Sequence, residues 1–280
     1  MGELERDQQP RATEYQAPSP IALIGRGRLG TALAAEASAA GLDVRLAGRD
    51  GVSGACAGAE LALLCVPDSE IEPACGTVAE LASPPPLVAH TSGATGLEAL
   101  ERARRAGCET FSLHPLQTVP EGERRLGGAP AAISGSGEAA LEAGRALAKA
   151  LGMRPFELPD EGRAAYHAAA SIASNFLVAL EESATELLAA AGLPDGRELL
   201  APLVLRTAAN WADRGGAALT GPIARGDEAT VARHLAAIDE LAPELRPLYR
   251  ELAERTQALA QRGQAVAAQA QAGTVGKLGG

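Results

Sequence analysis

The stretch Pro20-Ile-Ala-Leu-Ile-Gly-Arg-Gly-Arg-Leu-Gly30 constrains this chain more than any other. A short apolar run ends in Gly25-x-Gly27-x-x-Gly30, and a helix-forming segment follows at once from Thr31. In a strand–turn–helix unit of this kind each glycine has its own task. Gly25 allows the tight turn out of the strand, Gly27 lets the backbone approach a pyrophosphate, and Gly30 lets the helix pack close to the sheet. The unpaired N–H groups at the start of that helix are aimed at phosphates. A second apolar run arrives on schedule at Val44, which is the context that gives such a loop its meaning.

From Pro20 to about Pro159 strands and helices alternate. Ile21–Ile24, Val44–Ala47, Leu61–Val66, Leu87–His90, Thr110–Leu113, Ala131–Ser134 and Arg154–Leu158 are expected as strands. Leu29–Ala40, Gly96–Ala106 and Glu138–Leu151 are expected as helices between them. Short apolar strands separated by helices predict an α/β fold: a Rossmann-like, mainly parallel sheet covered on both faces. Ligands of such sheets bind outside the carboxyl ends of the strands. That rule selects Gly25–Gly30, Gly48–Asp50, Val66–Asp68, His90–Ala94 and His114–Thr118.

After Pro159 the pattern turns all-helical. With Asp160 as N-cap, Glu161–Ala191 is expected to form one helix about 45 Å long at ~1.5 Å per residue. Ile172, Phe176, Leu180, Ala184, Leu187 and Ala191 recur at helical spacing as its buried stripe. Arg197–Trp211, Glu228–Asp239 and Ala242–Gln261 are the further helices. The expected organisation is a disordered leader over 1–19, a dinucleotide-binding domain over 20–159, an all-helical substrate or dimerisation domain over 160–262, and a flexible tail over 263–280.

Only 2% of the residues are aromatic against 46% hydrophobic, so the core must be built from Ala, Leu, Val and Ile. A net charge of −10 argues against nucleic acid as a partner. Cys56, Cys65, Cys75 and Cys108 show no C-x-x-C spacing and are expected as reduced structural cysteines, with no metal site. The leader has no apolar core of a signal peptide, and no apolar run is long enough to span a bilayer. A cytoplasmic protein without membrane partners is expected.

The residue after the second strand selects the nucleotide. An acid there binds the ribose 2′-hydroxyl of NAD, and an arginine accommodates the 2′-phosphate of NADP. If the strand ends at Ala47, Gly48 stands in the acid's place and Arg49 faces the phosphate, with Arg28 adding charge from the glycine loop. If it runs further, Asp50 favours NAD. NADP is the expected cofactor. Gly25, Arg26, Gly27, Arg28, Leu29, Gly30, Arg49, Val66, Pro67, Thr91 and Ser92 are the residues expected to bind it.

The glycine loop, Gly48-Arg49 and the helical second domain together resemble a superfamily of 6-phosphogluconate, ketopantoate and pyrroline-5-carboxylate reductase-type dehydrogenases. Cys65-Val-Pro-Asp68, His90-Thr-Ser-Gly-Ala94, Ser112-Leu-His-Pro-Leu-Gln-Thr118, Tyr166-His-Ala-Ala-Ala170 with Ser174-Asn175, and Thr220-Gly-Pro-Ile-Ala-Arg-Gly-Asp227 narrow it. They look like bacterial proteins that join a Rossmann-like domain to a helical domain of unknown function and are described as predicted NADP-dependent oxidoreductases. The resemblance implies reduction of a small carbonyl or imine acid, a ketopantoate-like 2-oxo acid leading, and a homodimer formed through the helical domain. A deazaflavin stays open, because the pyrophosphate loop does not see the redox ring.

Ketopantoate reductases and related hydroxyacid dehydrogenases typically use a lysine near the start of the second domain's long helix, with an asparagine four residues on. This chain has no lysine between Lys149 and Lys277. His167, Ser171 and Asn175, spaced i, i+4, i+8, are the substitute expected on one helix face, with His167 as acid. The same row equally serves plain inter-helix hydrogen bonds. His114, after the fifth strand, is a second catalytic candidate, while His90 is expected to be a buried, hydrogen-bonded histidine. Gln117 and Arg225 are candidates for the substrate, Arg225 through a bidentate carboxylate fork. Trp211 and Phe176 are expected in the core or at a dimer interface. A non-catalytic NADP-binding or sensing protein, its helical domain an interaction surface, is the competing class.

Overall fold

The computed structural model describes residues 15–122 and 125–275. The expected leader over 1–19 lies mostly outside the described residues, as does the end of the expected tail. The chain divides into two compact units, residues 1–172 and 173–280.

The first unit carries a seven-stranded sheet in the order β2-β1-β3-β4-β5-β6-β7. Its strands are β1 (Ile21–Ile24), β2 (Val44–Ala47), β3 (Leu61–Leu64), β4 (Leu87–His90), β5 (Glu109–Pro115), β6 (Pro130–Gly135) and β7 (Arg154–Glu157). All neighbours run parallel except β5 and β6, which pair antiparallel with Leu113 opposite Ile133. The helices are α1 (Arg28–Ala39), α2 (Val52–Cys56), α3 (Asp68–Ala79), α4 (Glu101–Arg105), α5 (Glu138–Ala150) and α6 (Arg163–Ala173).

The two faces of the sheet are separated by residue parity, since successive side chains of a strand point to opposite sides. Ile21, Leu23, Leu61, Leu63, Phe111 and Ile133 form one core with residues of α1 and α5. Ala22, Ile24, Ala62, Leu64 and Val88 form the other with α2, α3 and α4. Phe111 is the one phenylalanine within these cores, so close helix approach takes the place of aromatic bulk. On α5, a Cβ added to Gly144 would stand 2.7 Å from Ile133 Cγ2 and 3.0 Å from Phe111 Cδ2.

The second unit is helical: α7 (Asn175–Ala190), α8 (Gly196–Arg214), α9 (Pro222–Arg225), α10 (Glu228–Leu241) and α11 (Arg246–Val275). Asp227 caps α10 by accepting from the Thr230 backbone N–H and hydroxyl, which ties it to the helix end rather than to Arg225.

Four expectations change. The single helix over 161–191 is two, because Ser174 leaves helical geometry at φ −120° and ψ −72° between α6 and α7. Asp160 does not cap it: residues 160–162 form a 3₁₀ turn, and the Asp160 carboxylate takes the Arg163 guanidinium instead. The stripe is not buried, with Ile172 on α6 at 62% and Phe176 on α7 at 57% exposure, and Trp211, expected in the core or at a dimer interface, is exposed. The expected tail is helical through Val275, as α11 continues past Gln261.

The close approach at Gly144 sets two opposed effects against each other. A Gly144→Ala change gains ~1 kcal/mol of helix propensity but overpacks the core by about 1–3 kcal/mol. Net destabilisation is expected in urea unfolding. Gly54→Ala in α2, where nothing lies within 4 Å of an added Cβ, is expected to stabilise by ~0.5–1 kcal/mol.

Candidate active site

The carboxyl ends of β1 to β5 gather the glycine loop, His90 and His114 along one edge. Gly25 adopts φ +125°, and a Cβ there would stand 2.1 Å from the Cys65 carbonyl oxygen, so no other residue fits. Gly30 faces the Gly25 carbonyl at 2.0 Å in the same sense, which brings α1 down onto the loop. Gly27 instead opens on free space and begins α1 with no side-chain cap and no acid in the first turn. That combination suits an anionic group: open N–H donors, room above them and no competing carboxylate.

β2 ends at Ala47, so Gly48 occupies the position where an acid would meet a ribose. The Arg26 side chain lies over it, its Cδ 3.9 Å from an added Cβ. Arg49 follows in a 3₁₀ turn with Asp50, 85% exposed and paired with Glu70 at 2.8 Å. Arg28 and Pro67 are exposed; Leu29 and Val66 are half-buried.

His90 ends β4 and is fully buried. Its Nδ1 accepts from the Ser92 N–H at 3.2 Å, so Nε2 carries the proton and donates to the Gly96 carbonyl, also at 3.2 Å. Burial pushes its pKa down to about 4. The expected structural role holds, since both ring nitrogens build the loop. Ser92 does likewise: its hydroxyl accepts from the Ala94 and Thr95 N–H groups. Thr91 is buried beside it.

His114 lies inside β5 rather than after it, because the strand runs to Pro115. Its Nδ1 is 2.7 Å from the Tyr166 hydroxyl, and its ring stands edge-on to Tyr166 and to His167 at centroid distances of 5.6 and 6.3 Å. Burial lowers the His114 pKa to about 4, with the charges of His167 and Arg163 acting in the same direction. His114 is therefore neutral at pH 7 and is no proton-charged acid. Tyr166 is pushed up to about 12 by burial, against the charge of Arg163.

Arg163, only 4% exposed, anchors the helix that carries these groups. Its Nη2 donates to Ser112 Oγ at 3.0 Å and Ser134 Oγ at 2.7 Å, and its Nη1 to the Ser92 carbonyl at 3.5 Å. One guanidinium thus joins α6 to β5, β6 and the loop after β4. Sequence reading missed both Arg163 and Tyr166. The signal was present in the Tyr166-His167 pair of the quoted motif, but nothing in the spacing places Tyr166 against a residue of β5.

The His167-Ser171-Asn175 row is split. His167 and Ser171 share α6, whereas Asn175 opens α7 beyond the break at Ser174 and belongs to the second unit. Gln117 is exposed in the loop after β5, and Arg225 ends α9 in the second unit. Cys56, Cys75 and Cys108 are buried and Cys65 half-buried, all four as free thiols, and burial pushes Cys65 up to about 12. Among the described residues no group of His, Cys, Asp and Glu could hold a metal ion, and no helix is long and apolar enough to cross a membrane.

Residues 129–256 match the model of a domain of unknown function, DUF2520. Residues 43–115 match a Rossmann-like domain. The DUF2520 match begins just before β6 and takes in α6. No curated protein matches the sequence. Among solved structures, a candidate NADP oxidoreductase of Bacteroides fragilis is 23% identical over 86% of this chain and 98% of its own, with a TM-score of 0.71. A Thermotoga maritima protein is 22% identical over 88% and 100%, at 0.70. An imine reductase of Myxococcus stipitatus, solved as a variant with NAD+, is 17% identical over 90% and 95%, at 0.55. At these identities the likeness establishes the fold: a Rossmann-like, mostly parallel sheet followed by a helical region.

Both buried histidines have a folded pKa below the ~6.5 of the unfolded chain, so the unfolded state binds more protons between about pH 6.5 and 4. Stability is lost as pH falls through that window. For His90 the loss by pH 4.5 is about 2 kcal/mol. Urea unfolding at pH 7 and 4.5 is expected to show a smaller difference for His90→Gln than for the wild type; equal differences contradict the assignment.

Proposed function

We propose that the protein is an NADP-dependent oxidoreductase that reduces a small carbonyl or imine acid, a ketopantoate-like 2-oxo acid leading. The observation that carries this reading is Gly48 at the end of β2, overlain by Arg26 and followed by Arg49, beside the open helix start at Gly27. A phosphate on the ribose would find two guanidinium groups there, and Asp50 lies beyond the strand end that NAD recognition needs. The names of the Bacteroides and Myxococcus neighbours support nicotinamide chemistry in general.

NADPH, when bound, supplies the hydride. The loop Gly25–Gly30 would hold the pyrophosphate, and Val66 and Pro67 would line the edge beside β3. His114, Tyr166 and His167 would face the reacting end, with Gln117 close in sequence as a substrate contact. In the competing class, a sensor without turnover, the missing lysine is explained directly: His167→Ala is expected to matter little there, whereas in a reductase it abolishes turnover and spares NADP binding.

The same reading includes a homodimer through the helical unit. Phe176, Leu199, Leu203, Leu205 and Trp211 are between 57 and 72% exposed, and only Ile238 and Ala242 are buried hydrophobics among the described residues of that unit. Surface of that kind marks an interface. Light scattering after gel filtration is expected to give twice the chain mass, and Leu203→Asp with Leu205→Asp to give the monomer.

The cofactor is tested by titrating the protein with NADPH and NADH and following nucleotide fluorescence. NADPH is expected to bind more tightly, and Arg49→Ala to weaken NADPH about tenfold, from loss of a charge-assisted contact, while leaving NADH unchanged. Failure to bind either nucleotide removes the oxidoreductase reading.

A further inference from the structure

The sequence offers His167 as the group that returns a proton to the reduced substrate. Two features of the first unit bear on that role. The Tyr166 ring is held on two sides, edge-on to His114 and to Phe156 at a centroid distance of 6.0 Å, with its hydroxyl 2.7 Å from His114 Nδ1. His114 is itself seated. Its imidazole lies so close over Gly93 that an added Cβ would come 2.8 Å from Cε1 and Nε2 and 3.0 Å from Nδ1. Gly93 is therefore glycine because the ring occupies the place of a side chain. Arg163, one helical turn before Tyr166, fixes α6 on the sheet through Ser112 and Ser134.

We infer that Tyr166 is the proton donor of the reduction, that His114 and Gly93 are the residues that position it, and that the substrate it suits is a carbonyl. The inference rests on the reductase reading. As hydride adds to the carbonyl carbon, the π pair moves to oxygen. That oxygen takes the phenolic proton, so the Tyr166 O–H bond breaks and the alcohol O–H bond forms. An aliphatic alkoxide is a stronger base than a phenolate, so the transfer runs downhill even from a phenol raised by burial. His114, in the tautomer with a proton on Nδ1, donates to the phenolate, and the Arg163 charge favours it until solvent returns the proton. An imine, by contrast, must be protonated before hydride arrives, which a phenol of this kind does poorly.

The charged and titratable groups facing this pair are His167 and Arg163 on α6 and Asp68 at the start of α3. A histidine acid gives a kcat that falls above about pH 7, whereas a tyrosine acid gives one flat from about pH 6 to 9. The test follows NADPH oxidation with pyruvate, glyoxylate, ketopantoate and 1-pyrroline, in wild type, Tyr166→Phe, Gly93→Ala and His167→Gln. Expected results are turnover of an oxo acid with a flat pH profile, a loss of kcat of about 100-fold in Tyr166→Phe and about tenfold in Gly93→Ala, and unchanged NADPH affinity in both. NMR of the ligand-free protein gives a second readout: the His114 Nδ1 signal is expected to move in Tyr166→Phe while that of His90 stays. A kcat within threefold of wild type in Tyr166→Phe, a falling limb near pH 7 that His167→Gln removes, turnover of 1-pyrroline alone, or an unmoved His114 signal each overturns the inference. NADPH binding without turnover of any probe overturns it and leaves the cofactor reading standing; absence of NADPH binding removes both.

Discussion

A buried guanidinium organises the chemistry of the first unit. Arg163 gives up most of its hydration to reach two serine hydroxyls on neighbouring antiparallel strands and a carbonyl of the loop after β4, with only the half-exposed Asp160 to balance its charge. Removing one partner of such a group costs several kcal/mol, because the remaining charge is stranded. The arrangement gives α6 a single seat on the sheet, and every group carried one turn further along is placed with it. Burial keeps His114 from taking up a proton, and the Arg163 charge, after that of His167, acts in the same direction.

Most of the fold was open to reading because it follows from local apolar runs. Ile21–Ile24 and Leu61–Leu64 are apolar throughout, as strands buried on both faces must be, and Gly25-x-Gly27-x-x-Gly30 sits where backbone meets backbone. His90 was legible as a structural histidine, lying at the end of a buried strand with polar neighbours to bond. What stayed hidden depends on contacts far apart in the chain. Nothing in Pro130–Gly135 announces that β6 reverses direction against β5. Tyr166 and Arg163 look like ordinary residues of an early helical turn until the fold brings Ser112, Ser134 and His114 beneath them.

The helical unit was misread for a related reason. Helical spacing identifies a stripe of apolar residues but not what covers it. Phe176 carries the periodicity of a core residue and remains exposed in the single chain, as does Trp211. The break at Ser174 between α6 and α7 was hidden too, because periodicity alone runs straight through it.

The reversal of β6 sets a length. Only β2, β1, β3, β4 and β5 present their carboxyl ends to the ligand edge; β6 and β7 turn the other way. Four interstrand spacings of ~4.8 Å make that edge about 19 Å from Arg49 to His114. On the proposed reading the sheet is a ruler, with Arg49 at one end and the proton donor beside His114 at the other. A molecule anchored at the first would be processed at the second only if it were long enough to span them, so a mononucleotide held at Arg49 would stop short.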